Sequence, residues 1–239
     1  MDDFYSRTYG IFGDSLETIK SACVAVVGLG GVGGEAALAL ARSGVGKMIL
    51  IDGDKVVKSN LNRQAVAFHS TLGLSKTEAC AKLIRDINPD CELTLYDSFW
   101  TAESHIDLTK ASYILDCIDS VGAKADLIKY AHDNDIPVIS AMGAGNKIDP
   151  TKFKVCDISK TSVDPLSRVM RKKLRDMGIN HSKVVFSDEL PRDVFEIKKD
   201  EKKGDYVKRS APASCAFVPT AMGLIMAGEV LKDISGITR

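Results

Sequence analysis

The chain has 239 residues, room for one large domain or two small ones at about 100–200 residues each. Hydrophobic residues make up 45% and charged residues 27%, which excludes a disordered, collagen-like or coiled-coil chain. Lys+Arg and Asp+Glu each number 32, so a nucleic-acid partner would need a local basic patch, because no global positive field exists.

Met1-Asp2-Asp3 is acidic and lacks the basic start and apolar core of a signal peptide. Residues before about 22 are too few to form a core and read as a solvated tail. Residues 22–27 read as a strand, 31–43 as a helix and 47–51 as a second strand, followed by an irregular polar stretch over 52–62. Ser75 caps a helix that runs to about Asn88, with Glu78 expected to complete a capping box. Residues 92–96 alternate as a strand, 113–118 form a buried strand, 121–134 a helix and 136–141 another strand. This alternation predicts βαβ units, and so a parallel sheet with helices on both faces. The pattern changes after about Gly145. Residues 153–158 read as a strand, 165–177 as a helix capped by Asp164, and 184–186 as a short strand. This last part predicts a mixed or antiparallel extension of the sheet. Residues 187–213 are polar, lysine-rich and aperiodic, and read as a mobile surface loop. The final helix, 218–231, has Pro219 in its first turn and is apolar on all sides, so it is expected in the core or at a subunit interface. The longest uncharged stretch, 210–228, is broken by Pro212 and Pro219 and falls short of the roughly 20 residues of a membrane span.

Six cysteines stand at 23, 80, 91, 117, 156 and 215, with no C-x-x-C pair. Neither zinc nor a disulfide framework is expected, and reduced thiols fit a cytoplasmic protein. The strongest local signal is Gly28-Leu29-Gly30-Gly31-Val32-Gly33, which follows a strand and opens a helix. Glycines there let the backbone approach phosphate oxygens, and the helix N-terminus favours negative charge. Gly34 stands where a Walker A loop has lysine. Asp52 and Asp54 close the second strand, where a carboxylate can bond ribose hydroxyls. To this point a dehydrogenase and an ATP enzyme fit equally. Ser59, Asn60, Asn62 and Arg63 lie just past that strand, and Lys76 starts the next helix. Two basic groups converging on one crevice suit a polyphosphate whose charge grows during transfer; hydride transfer has no use for them. Read singly, each is a surface cation. Asp116 and Asp119 end the 113–118 strand, facing the same crevice. Asp119 suits Mg²⁺ on phosphates or a helix cap equally.

Together, Gly28–Gly33, Asp52-Gly53-Asp54, residues 59–64, Lys76 and Cys117-Ile118-Asp119-Ser120 resemble the ThiF/MoeB/HesA superfamily, the adenylating domain of ubiquitin-activating enzymes. The resemblance spans nearly the whole chain. It implies one adenylating domain, with residues 1–145 as the nucleotide half and 146–239 as the substrate and dimer half. It implies ATP activation of a carboxylate, with Gly28, Gly30, Gly31 and Gly33 by the phosphates, Asp52 on ribose, Asn60, Arg63 and Lys76 on phosphates, and Asp119 on Mg²⁺. Arg7 matches an arginine that reaches into the partner's site, which implies a homodimer. Residues 141–151 and 157–166 resemble the branch that closes threonylcarbamoyladenosine in tRNA to a cyclic hydantoin. Its second step is intramolecular, so no nucleophilic cysteine is required, and Cys156 and Cys215 are expected to be buried and apolar. On the 165–177 helix, Arg168, Arg171, Lys172 and Arg175 line one face, with Leu166, Val169, Met170, Leu174 and Met177 opposite and Lys173 snorkelling. Residues 198–209 add six basic and three acidic groups, among them Lys198, Lys199, Lys202 and Lys203. Under the resemblance these form a tRNA backbone patch; without it they are an ordinary solvated face. The rival readings are activation of a ubiquitin-like sulfur carrier, with a sulfur-transfer protein as partner, and an NAD-dependent oxidoreductase.

Overall fold

Short apolar runs alternating with amphipathic ones give central strands that are buried on both faces, flanked by half-exposed strands at the edges. The computed structural model describes residues 4–195 and 212–237. In chain order the elements are α1 (Ser6–Phe12), α2 (Ser15–Ser21), β1 (Cys23–Val27), α3 (Gly33–Arg42), β2 (Lys47–Ile51), α4 (Lys76–Ile87), β3 (Glu92–Tyr96), β4 (Tyr113–Asp116), α5 (Val121–Asp133), β5 (Val138–Ala141), β6 (Phe153–Asp157), α6 (Pro165–Asp176), β7 (Lys183–Ser187) and α7 (Phe217–Ser235). The strands form one seven-stranded sheet in the order β3-β2-β1-β4-β5-β7-β6. Every pair is parallel except β6 on β7, which is antiparallel. This is the expected Rossmann-like α/β architecture with its antiparallel extension.

Strand alternation divides the core. Val24 and Val26 face a cluster with Leu40, Ala79, Ile84, Met222 and Met226. Ala25 and Val27 face the opposite cluster, with Trp100, Leu108, Leu127 and Ala131. A third cluster joins α5, α6 and β7 through Ile128, Met170, Leu174 and Val184. Register sets the functional edge. Val27 lies level with Ile51 and with Asp116, so β1, β2 and β4 end in one row. The residues that leave this row, Gly28, Asp52 and Cys117, start the loops of the crevice.

Several expectations change. The presumed N-terminal tail is two short helices; Leu16 and Ile19 of α2 enter the main core. Ser75 Oγ accepts the Glu78 N–H at 3.2 Å, but no reciprocal capping bond forms. α7 is longer than predicted at both ends, because its polar C-terminal part is tied to the sheet. There Asp233 accepts from the Tyr113 hydroxyl at 2.6 Å and from Lys183 at 2.6 Å. Ser187 closes β7 and is fully buried, so it is not part of a loop. The rest of the expected mobile loop is described only at residues 188–195 and 212–213. Lys198, Lys199, Lys202 and Lys203 lie outside the described residues. Among the described residues, no helix is long and apolar enough to cross a membrane.

Candidate active site

The glycine turn is built by close backbone approach. Gly28 has φ +91°, and a Cβ there would lie 2.7 Å from the Cys117 carbonyl oxygen. A Cβ on Gly33 would lie 1.8 Å from the Gly28 carbonyl oxygen. Gly30 differs, because its open side meets nothing nearer than Gln64 Nε2 at 3.9 Å. α3 starts directly behind the turn with no side-chain cap, and its N-terminus favours an anion, although the Gly34 N–H already donates to the Gly30 carbonyl at 3.0 Å.

Asp52 is buried and ties this turn to the end of β2. Its Oδ2 accepts from Leu29 N–H at 2.7 Å and its Oδ1 from Asp54 N–H at 2.8 Å. Lys76, also buried, donates to Asp54 at 2.7 Å and lies 3.6 Å from Asp52. The lysine predicted to contact phosphate is therefore held at the crevice by two carboxylates. Asn60 is buried and accepts from Val57 N–H at 3.1 Å, which fixes the start of the 59–64 turn. Arg63 donates through Nη1 to the Ser59 carbonyl at 2.7 Å and to Asn62 Oδ1 at 2.9 Å. Both Nη1 hydrogens are used, which leaves the Nη2 and Nε donors for a ligand. Asn62, expected at the nucleotide, has both ends of its side chain engaged within the chain, with Oδ1 on Arg63. Its Nδ2 donates to the Ser214 carbonyl at 3.0 Å.

Gln64 was not singled out from the sequence, yet its buried Oε1 has no hydrogen-bond partner. It sits beside Gly30, and only the folded turn exposes it as a polar atom awaiting a donor. Two buried ion pairs also lack any sequence signal. Lys124 meets Asp116 at 2.8 Å with both side chains fully buried, so Asp116 does not face the crevice as expected. Lys147 meets Asp164 at 2.8 Å, with each side chain 1% exposed. Asp119, in contrast, is exposed past β4, and α5 starts at Val121 with no side-chain cap from Ser120. Among the described residues, no group of three or more His, Cys, Asp or Glu side chains could hold a metal. One carboxylate remains compatible with Mg²⁺, which takes few protein ligands beside phosphate oxygens.

Five of the thiols, those of Cys23, Cys80, Cys91, Cys117 and Cys156, are pushed up by burial, away from the nucleophilic thiolate. Burial pushes the Cys117 thiol up to about 12, with Asp116 adding to the shift, and pushes Cys80 up to about 12. Cys156 and Cys215 are half-buried rather than fully buried as expected; burial raises the Cys156 value as well. On α6, Arg168, Lys172 and Arg175 are exposed. Arg171 is half-buried and donates to the Thr161 carbonyl at 2.8 Å, so it belongs to the packing of α6. Val169 is 48% exposed instead of lying on the apolar face. Arg7 is exposed on α1. That helix begins beside Gly44, where a Cβ would lie 2.9 Å from the Tyr5 ring. Gly44 follows the far end of α3 from the glycine turn, about 15 Å away along ten residues. The structure therefore does not bring Arg7 to the crevice of its own chain.

A glycine turn, a strand-end carboxylate and two cations at the carboxyl edge of a parallel sheet define a nucleotide-binding protein of the Rossmann type. More narrowly, the chain belongs to the ThiF family, whose model matches residues 5–239. It is 43% identical to the tRNA threonylcarbamoyladenosine dehydratase of Bacillus subtilis, over 98% of this chain and 95% of that one. Two solved structures of the Escherichia coli tRNA N6-threonylcarbamoyladenosine dehydratase are also similar. The complex with AMP has a TM-score of 0.86 and 35% identity, covering 97% of this chain and 94% of that one. The complex with ATP has a TM-score of 0.84 and 34% identity, covering 97% and 93%.

Proposed function

We propose that this chain is an ATP-dependent tRNA threonylcarbamoyladenosine dehydratase, which cyclises the threonylcarbamoyl side chain through adenylation of its carboxylate. The observation that carries this reading is the match to the Bacillus subtilis dehydratase over nearly the full length of both chains. The crevice chemistry agrees with it. A carboxylate is a poor electrophile, so its oxygen first attacks the α-phosphorus of ATP and pyrophosphate leaves. The α3 N-terminus, Arg63 and Lys76 stabilise the added negative charge. Mg²⁺, held by Asp119, would neutralise phosphate charge when bound. The neighbouring ureido nitrogen, positioned by the bound substrate, then attacks the acyl carbon and loses its proton as AMP departs with the carboxylate oxygen. The net change in the nucleoside is loss of water. No enzyme thiol enters, because the second step is intramolecular.

In this reading Gly28, Gly30, Gly31 and Gly33 accommodate the phosphates, Asp52 takes the ribose, and Asp54 releases Lys76 as the nucleotide binds. Residues 1–145 bind the nucleotide, and 146–239 serve the tRNA and a homodimer. Arg168, Lys172 and Arg175 on α6 contact the tRNA backbone, and Arg7 reaches the partner's phosphates. A tRNA substrate puts the reaction in the cytoplasm, and the chemistry involves no zinc.

The test is incubation with ATP, Mg²⁺ and threonylcarbamoylated tRNA, followed by mass analysis of the nucleoside. The expected product is lighter by one water, about 18 Da. Arg63→Ala should lower the rate about 10²–10³-fold, the effect of losing one transition-state donor, at an unchanged melting temperature. Lys76→Ala should lose rate similarly and also melt earlier, because Asp52 is left buried without its cation. An unchanged nucleoside with wild-type protein would overturn the reading.

A further inference from the structure

The segment from Pro212 to Cys215 runs between Asn146 and Asn62 and is fixed at these two points. On one side, Ala213 N–H donates to Asn146 Oδ1 at 2.8 Å, and Asn146 N–H donates back to the Ala213 carbonyl at 2.8 Å. The Asn146 carbonyl also accepts from Arg192 N–H at 2.8 Å, so one residue holds the backbone at both 192 and 213. Asn146 has φ +59°, a left-handed conformation that asparagine tolerates better than most residues. Gly145 beside it has no room for a side chain, because a Cβ would lie 2.5 Å from Pro212. On the other side, the Ser214 carbonyl accepts from Asn62 Nδ2 at 3.0 Å, and Asn62 Oδ1 accepts from Arg63 Nη1 at 2.9 Å. The segment leads into α7, whose Pro219 would touch a Cβ on Gly31 at 3.1 Å, while the Arg63 carbonyl would meet the same Cβ at 3.3 Å. The asparagine side chain has a donor end and an acceptor end, and here each end holds a different segment.

We infer that residues 212–215 act as a strap that sets the pose of Arg63 through Asn62. Asn62 and Asn146 are then positioning residues for the phosphate-binding arginine. This rests on the nucleotide role of Arg63 in the proposed function and goes beyond it, since it assigns Asn62 to the strap and not to the nucleotide. An arginine has many rotamers, and fixing one before the ligand arrives removes an ordering cost from binding. The strap also joins the β5–β6 connection, where Asn146 lies, to the 59–64 turn, so a disturbance at either anchor reaches the same guanidinium.

The test is a mutant cycle on the full chain, read by calorimetric titration with MgATP. Asn62→Ala and Asn146→Ala should each weaken MgATP binding about 5–10-fold, within the range of ordering one long side chain. The double variant should be no weaker than the weaker single variant, because both act through one strap. In an Arg63→Ala background, which still binds MgATP less tightly, neither change should cost anything further. Melting temperatures distinguish positioning from general damage. Weakening that persists in full without Arg63, or two effects that add, would overturn the strap. Unaltered affinity in both single variants, or no MgATP binding by the wild-type chain, would also overturn it. If wild-type protein binds MgATP and shows this cycle yet leaves the nucleoside mass unchanged, the strap stands and the cyclisation reading falls.

Discussion

A methyl group at Gly33 would have to displace the Gly28 carbonyl, which lies 1.8 Å from the position of its Cβ. That carbonyl belongs to the turn itself, so Gly33→Ala should open the turn and cost about 1–3 kcal/mol or more, as overpacking does. At Gly30 the nearest atom is 3.9 Å away, and it is a side-chain nitrogen. Gly30→Ala should therefore melt like the wild type, while its methyl group lies where phosphate oxygens approach and weakens MgATP binding by at least about tenfold. Melting curves and titration together check the pair. Equal melting temperatures for the two variants would contradict the separation of folding glycine from ligand glycine. These glycines and Asp52 were legible in the sequence because each lies within a few residues of a strand end, and Arg63 because it stands in the polar run that follows β2. Lys76 was legible as a cation, but its hold on Asp54 was not. Gln64 and Asn146 stood inside matched motifs, but their roles were not legible, since an orphaned amide oxygen and a clamp on residues 192 and 213 exist only after folding.

At the scale of elements, α6 depends on a single carboxylate. Asp164 accepts from Ser167 N–H and Ser167 Oγ, each at 2.8 Å, and so caps the helix. The same group neutralises Lys147, which is buried on the crevice side of the sheet. Asp164→Ala removes the cap and leaves an ammonium buried without a partner, for an expected loss of about 3–5 kcal/mol. Removing the charge from both ends should cost far less. Lys147→Met with Asp164→Asn keeps a capping acceptor and removes the buried ions, so most of the loss should be recovered. Urea denaturation of the three proteins measures this, and a single variant within about 1 kcal/mol of wild type would show that the pair is not needed. The cap was readable, because Asp-Pro before an amphipathic run is a local signal. The ion pair was not, because it joins residues 17 apart across two loops. The same contrast runs along the chain. β2 and β3 have their predicted bounds, since the apolar run of one and the alternation of the other are local, while α1 and α2 were missed because their apolar residues are few and α2 depends on docking into the core.

At the scale of the whole molecule, Arg7 poses a question of reach. It lies on α1, whose start packs beside Gly44 at the opposite end of α3 from the glycine turn. α1 also exposes Tyr9 at 45% and Ile11 at 77%, an unusual amount of apolar surface for a helix of seven residues. In the proposed homodimer, a two-fold axis would place this helix against the other subunit, cover those side chains and carry Arg7 to the partner's crevice. Arg7→Ala should then lower ATP-dependent turnover while the dimer persists in sedimentation. The decisive measurement mixes Arg7→Ala subunits with Arg63→Ala subunits, each nearly inactive alone. In a mixed dimer, the site that contains the intact Arg63 receives Arg7 from the other subunit, and the second site lacks both. Random exchange makes half the dimers mixed and half their sites complete, so activity should return to about a quarter of the wild-type value. Were Arg7 to act on its own chain, no site in any dimer would hold both arginines, and the mixture would stay as inactive as its components even after exchange is complete.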